Sequence, residues 1–286
     1  MKVLLVGFGD IAARVAAQLP ASAAAVGLRR TPSAAPGHSG AAALELRAVD
    51  ASKADALAAV LTEPFDYVVA TLTPSAMSEA GYRASYLAVA ENLAALLPQH
   101  PSLRRLLWVS SSSVYGEQRG DQWVDEQTAA KPQRATAKVL LAAEHALAAL
   151  PCTVLRFSGI YGPGRHRLLQ LVRAGGPLPG APEQWSNRIH SDDGAGFIAH
   201  LIAAQWRGER LAPLYIVSDQ QPAPLGEVWQ WLATQLGCAQ PLAAPQQSSG
   251  RGGKRLRATL MQQSGYTLRY PSYRDGYAAL LAAERG

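Results

Sequence analysis

Three groups of residues have the types and spacing to do chemistry. The first is Gly7-x-Gly9-x-x-Ala12, within VLLVGFGDIAARVA (3–16). A first glycine permits a tight turn, a second lets backbone approach a pyrophosphate, and a small third residue lets a helix pack closely on a strand. The N–H groups opening that helix, from Asp10 and Ile11 onward, would face the phosphates. The second group is Arg29-Arg30. NAD sites usually carry a carboxylate here, about 20 residues after the glycines, to hold the ribose 2′-hydroxyl. Two arginines suit a 2′-phosphate instead, through charge-assisted hydrogen bonds, so the expected cofactor is NADP, with NAD the alternative. The third is the serine run 110–113 in LLWVSSSSVYGEQ (106–118), which follows an apolar stretch and precedes Val114-Tyr115-Gly116.

Positioning these groups takes an alternating chain. Apolar runs at 3–6, 23–28, 44–48, 67–72, 106–109 and 153–157 are separated by helical patterns at about 10–19, 53–62, 77–97 and 133–149. Continuous apolar strands alternating with helices imply a parallel sheet covered on both faces, a doubly wound α/β (Rossmann) fold. In such a sheet ligands bind outside the carboxyl ends of the strands. That places Asp50-Ala51 near adenine, Ala70, Thr71 and Leu72 near the nicotinamide ribose, and the serines on the ligand edge. After residue 160 the rhythm changes. A turn at 161–164, a Gly/Pro-rich segment at 175–184, helices at about 192–205, 225–236 and 272–283 and a strand at 214–217 suggest a smaller lobe. The expected division is 1–160 for the dinucleotide domain and 161–286 for a substrate lobe that partly returns to the main sheet near 190–220.

Composition narrows the function. The chain has 286 residues, 17% of them charged, and a net charge of +6. No apolar run approaches the roughly 18 residues that span a bilayer, and the opening apolar run is too short for a secretion signal, so a cytoplasmic protein without membrane contact is expected. Cys152 and Cys238 are far apart in unrelated contexts, and the six histidines show no metal-ligand spacing, so neither a disulfide framework nor a metal site is expected. The basic stretch SSGRGGKRLR (248–257) has no aromatic residue interleaved and no nucleic-acid module around it, which favours a solvated loop over a nucleic-acid arm. An anionic small molecule would use the same positive charge.

The motifs together resemble one family. VSSSSVYG is similar to the fifth-strand signature of the extended short-chain dehydrogenase/reductases, the NAD-dependent epimerase/dehydratase group. LRFSGIYGPGR (155–165), NRIHSDDGAGFIAHLI (187–202) and LYIVSDQQPAPLGEVWQWLATQLG (214–237) resemble its later segments in the same order. The resemblance implies that Ser111 hydrogen-bonds the reacting oxygen, with Ser112 beside it. It also implies that Ser110 and Pro163 lie by the cofactor, that Arg188 and His190 lie on the substrate side, and that helices near 77–97 and 133–149 pair in a homodimer. A local backbone cap is the simpler role for Ser110 and Ser113.

One departure stands out. The family pairs its serine or threonine with Tyr-x-x-x-Lys on the next helix, the tyrosine serving as general acid/base. Here KPQRATAKVLLAAEHAL (131–147) carries none. Alignment on Ala143-Glu144 puts Thr136 and Leu140 at those places, and alignment on Lys138 puts Arg134 at the tyrosine place. Tyr115 and Tyr161 are the candidates to substitute. Two readings therefore stay open. One is an NAD(P)-dependent epimerase/dehydratase- or reductase-like enzyme acting on a small polar substrate, a nucleotide-sugar being the group's commonest type. The other is a cofactor-binding sensor without turnover.

Overall fold

Val3, Leu4, Leu5 and Val6 are all fully buried. A strand with no exposed residue on either face belongs in the middle of a covered parallel sheet. The computed structural model describes residues 1–31, 42–116, 122–175, 184–239 and 253–285. In chain order the first elements are β1 (Lys2–Val6), α1 (Asp10–Gln18), β2 (Ala24–Arg29), β3 (Ala43–Ala48), α2 (Ala54–Val60) and β4 (Tyr67–Ala70). Next come α3 (Glu79–Tyr82), α4 (Ala88–Leu96), β5 (Arg105–Ser111), β6 (Trp123–Val124), α5 (Ala135–Ala146), β7 (Cys152–Phe157) and β8 (Gly159–Tyr161). Then follow α6 (Arg167–Arg173), β9 (Trp185–Ser186), β10 (Arg188–His190), α7 (Ser191–Trp206), β11 (Leu214–Val217) and β12 (Ala223–Pro224). The chain closes with α8 (Leu225–Leu236), β13 (Arg255–Leu256), α9 (Thr259–Gln263) and α10 (Tyr273–Ala283).

Seven strands form one parallel sheet in the order β11-β7-β5-β4-β1-β2-β3. Its registers run Val3↔Ala25 and Val3↔Tyr67 on the two sides of β1. The chain winds outward from β1 to β3, returns to β4, and winds the other way. The reversal between β1 and β4 opens a crevice at their carboxyl ends. One face of the sheet, through Leu4, Val6, Val68, Leu106 and Trp108, meets Leu57, Val89, Leu93 and Ala143 of the helices. This is the doubly wound α/β fold that the alternation implies.

Internal packing divides the chain into two compact units. The first is Met1–Val114, Ala130–Arg156 and Ala195–Tyr215; the second is Tyr115–Ala129, Phe157–Gly194 and Ile216–Gly286. The second unit has its own core, in which Leu169 and Val172 of α6 join Val228, Trp229 and Leu232 of α8 and Tyr273, Tyr277 and Leu281 of α10. Three short ribbons accompany it: β8 with β10, β9 with β12, and β6 with β13.

Two expectations are revised. The single helix at 77–97 is α3, a π turn at Arg83–Leu87, and α4. Ser78 caps α3 through the Gly81 N–H, and Gly81 sits so close to Ala76 that a Cβ would lie 2.3 Å from its carbonyl oxygen. The wider turn accompanies a bond from the Tyr86 hydroxyl to the Leu72 carbonyl at 2.8 Å. Between the helices expected at 225–236 and 272–283 the chain also forms β13 and α9, elements too short to impose a period on the sequence.

Candidate functional site

The candidate site begins with Gly7, whose φ of +83° suits glycine. A Cβ there would lie 2.9 Å from the Thr71 carbonyl oxygen. Thr71 completes the clamp, its N–H donating to the Val6 carbonyl and its hydroxyl to the Gly7 carbonyl at 3.0 Å. Gly9 differs, because a Cβ added there meets nothing within 4 Å. Its surroundings are open, and no side chain caps the N-terminus of α1. The first N–H groups of that helix are therefore available to an anion. Between the glycines Phe8 is buried, and Gly27 in β2 leaves room for its ring.

Beside this turn lies a cavity of about 450 Å³ in the first unit. Gly7, Gly9, Arg29, Arg30, Thr31, Asp50, Ala51, Thr71 and Leu72 are among the residues that line it. Eight of the residues read from the sequence as cofactor-binding thus come together. Burial works to raise the Asp50 carboxyl. Hydrogen bonds from the Ser52 N–H and hydroxyl and the charges of Arg30 and Lys53 outweigh it, and the group is held below the usual range. The cavity carries three cations, Arg29, Arg30 and Lys53, against that one carboxylate. Sequence reading missed Lys53, Ser52, Ser75 and Ser85, which also line it. Lys53 follows Asp50 by three residues at the start of α2, so the helix-start signal was present for it.

The remaining sequence-derived residues lie elsewhere. Asp10 pairs with Arg14 at 2.8 Å, while Ile11 and Ala70 are core. The Ser110 hydroxyl turns inward and donates to Glu144 Oε1 at 2.5 Å. Glu144 also accepts from Arg156, with Nη2–Oε2 at 2.6 Å. Ser110, Glu144 and Arg156 are all buried, a polar triad inside the first unit. The local cap falls to Ser111, whose Oγ accepts the Ser113 N–H at 3.2 Å, rather than to Ser110 or Ser113. Successive side chains of a strand point to opposite faces, so Ser110 faces Glu144 while Ser111 is turned away from it. Ser111 and Ser112 remain partly exposed, and Tyr115 is fully buried. On α5 Leu140 is core, Thr136 is half-buried and Lys138 points to solvent.

In the second unit Tyr161 packs against α10, where Gly276 leaves space for its ring, and its hydroxyl donates to the Ser272 carbonyl at 3.3 Å. Burial pushes that phenol above its ordinary value, with the nearby Asp219 adding to the shift. His190 is 1% exposed, with the Tyr270 ring 4.0 Å and the Tyr161 ring 5.2 Å from its own. Asp193 holds the neighbouring loop, accepting the N–H groups of Arg269 and Tyr270 at 2.7 and 2.9 Å. Pro163 is exposed in a turn of this unit.

The basic stretch 248–257 lies within the described residues only from 253. Although no aromatic interleaves with it along the chain, the fold supplies two. Arg255 stacks 3.7 Å from the Trp185 ring, and Arg257 lies 4.8 Å from the Trp123 ring. No described helix is long and apolar enough to cross a membrane.

Residues 7–205 match the model of a family described as NAD(P)H-binding. A solved structure from Methylobacillus flagellatus, described provisionally as an NAD-dependent epimerase/dehydratase, is 35% identical. The match covers 100% of this chain and 99% of that one, with a TM-score of 0.80. The chain belongs to the NAD(P)H-binding epimerase/dehydratase family. Among curated relatives, Protein YeeZ of Escherichia coli (strain K12) is 29% identical over 170 residues. That match spans 58% of this chain and 59% of YeeZ. dTDP-glucose 4,6-dehydratase of Bacillus anthracis, solved with NAD, shares the fold at a TM-score of 0.79 and 17% identity, over 100% of this chain and 96% of its own. The family match opens at Gly7, and the uncapped helix start beside Gly9 and the three cations of the cavity are chemically suited to the phosphates of a dinucleotide.

Proposed function

We propose that the chain is an NADP(H)-dependent enzyme of the epimerase/dehydratase or reductase type, acting on a small polar substrate with an anionic group. The observation that carries the reading is the charge of the cavity. Arg29 and Arg30 stand where a carboxylate would select NAD, and Lys53 adds a third cation. Asp50 and Ala51 would border the adenine, and Thr71 and Leu72 the nicotinamide ribose. The cofactor supplies a hydride acceptor or donor. Ser111 and Ser112 would hold the reacting oxygen, and Tyr115 is the candidate for its proton, since the Tyr161 hydroxyl is committed to Ser272. On the substrate side Arg188 would bind the anionic group and His190 would support it. A cytoplasmic homodimer completes the proposal by resemblance.

A second reading, a cofactor-dependent sensor, draws support from α5. With Leu140 in the core and Lys138 in solvent, neither alignment of that helix presents a tyrosine–lysine pair. Calorimetric titration tests the cofactor first. NADPH should bind tighter than NADH by about tenfold or more, and Arg29→Ala with Arg30→Ala should erase the difference by weakening NADPH alone. Tighter NADH binding in the unmodified protein would overturn the 2′-phosphate reading. Cofactor oxidation with any substrate would then separate enzyme from sensor.

A further inference from the structure

The second unit holds a buried cation with no carboxylate partner among the described residues. Arg188 is 9% exposed, its Nη1 donates to Ser186 Oγ at 2.7 Å, and it hydrogen-bonds the Tyr277 hydroxyl. No carboxylate forms an ion pair with it among the described residues. A guanidinium taken out of water without a counter-charge is costly, and such a site is made good by an anion. One carboxyl stands close by. Asp219 is 1% exposed, and its N–H donates to the Arg188 carbonyl at 2.7 Å, an oxygen that also accepts the Ser218 hydroxyl at 3.3 Å. Oδ1 accepts the Gln221 N–H at 3.2 Å, and Oδ2 has no hydrogen-bond partner among the described residues.

We propose that Asp219 is a specificity-determining residue, whose buried carboxyl, with Oδ2 unpartnered among the described residues, stands beside Arg188 and decides whether that guanidinium is left free for the carboxylate or phosphate of a substrate. The inference rests on the reading that this unit receives the substrate. Burial pushes the Asp219 carboxyl up to about 8, against the lowering effects of the Gln221 N–H and Arg188. The groups facing it are Arg188 on β10, Asp193 in the first turn of α7, Asp275 in the first turn of α10 and Tyr161 on β8. Asp193 and Asp275 reinforce the protonated form by repulsion. In that form the carboxyl can also donate a hydrogen bond to the bound anion.

Sulfate is a suitable probe because it keeps one charge state across the range tested. The protein is saturated with NADPH, so that Arg29, Arg30 and Lys53 are engaged, and sulfate binding is followed by calorimetry from about pH 6.5 to about pH 9.5. Affinity in the wild type should fall above about pH 8, approaching tenfold per pH unit, because one proton is linked to one anion. Asp219→Asn should bind equally at both ends of the range, and Arg188→Met should abolish this binding at every pH. A flat wild-type profile, a pH-dependent Asp219→Asn, or unchanged sulfate binding in Arg188→Met would each overturn the proposal. Should Asp219→Asn fail to fold, the wild-type profile and Arg188→Met decide alone. The difference between wild type and Arg188→Met isolates this site whether or not NADPH binds, so failure of the cofactor reading shows separately in the NADPH titration.

Discussion

Two buried arginines, one in each unit, are treated in opposite ways. Arg156, at the end of β7, is 7% exposed and lies in a fork with Glu144, which Ser110 completes. Arg188, on β10, is 9% exposed and meets a hydroxyl and a phenol but no ionised partner among the described residues. A paired buried charge holds elements together, at a desolvation cost that its partner offsets. An unpaired one marks a place where something else must bring the counter-charge. The first unit is thus finished internally beneath the serine run, while the second leaves a charge to be met from outside. The difference separates a structural arginine from a binding one, although both look alike in the sequence as single basic residues in short β segments.

Matched substitutions should break this comparison if it is wrong. Arg156→Met keeps an apolar stem and removes the charge, leaving the buried Glu144 without the guanidinium that offsets its desolvation. We expect the largest effect here, a loss of about 3–5 kcal/mol in chemical denaturation. The converse change, Glu144→Gln, should cost a similar amount by removing the charge that offsets Arg156. A loss below about 1 kcal/mol in both would mean that the pair is screened, as surface pairs are.

The next effect concerns Asp219 and has a definite sign. Its folded carboxyl sits at about 8 against an ordinary 3.8, so the folded state holds a proton that the unfolded chain releases. Stability from this group is therefore full below about pH 4, declines as pH rises toward 8, and is lost above it. Asp219→Asn removes that slope. It should stabilise the protein by an amount on the order of a few kcal/mol near pH 8, shrinking to nothing near pH 4. Thermal melting of both proteins at matched pH checks this, and a constant difference between them would sink it.

Much of the first unit was legible beforehand, and the reasons are physical. β1, β4 and β5 are buried on both faces, so hydrophobicity alone marks them. The cavity could be assembled from Gly7, Arg29, Asp50 and Thr71 because the doubly wound order sends every strand end to one edge. Glu144 was within reach too, since it shares the buried face of α5 with Leu140, Ala143 and Leu147, where a carboxylate needs a partner. That the partner is Arg156 was not readable, because the pairing is between a helix and a strand. The second unit was less legible. Its ribbons are two or three residues long, and Trp123 meets Arg257 through the β6/β13 pairing, across nearly half the chain. The π turn at Arg83–Leu87 leaves no mark in composition at all.

The smallest expected effect is the most informative. Arg188→Met makes the same chemical change as Arg156→Met at nearly the same burial, yet it strands no ionised partner. Asp219 holds its proton at neutral pH, so it does not become an uncompensated charge when the guanidinium leaves. The substitution gives up bonds to Ser186 and Tyr277, each worth about 1 kcal/mol, and gains back the desolvation cost of an unpaired cation, which is of similar or greater size. Stability should therefore change by less than about 1 kcal/mol in either direction. NADPH affinity should stay within a few-fold, because the cations proposed to hold the cofactor are Arg29, Arg30 and Lys53 of the first unit. A loss as large as that of Arg156→Met would show that Arg188 is braced by ionised groups after all, and the two units would then treat their buried arginines alike. A near-neutral result, beside a severe one for Arg156→Met, would establish that the fold maintains Arg188 for a ligand's charge.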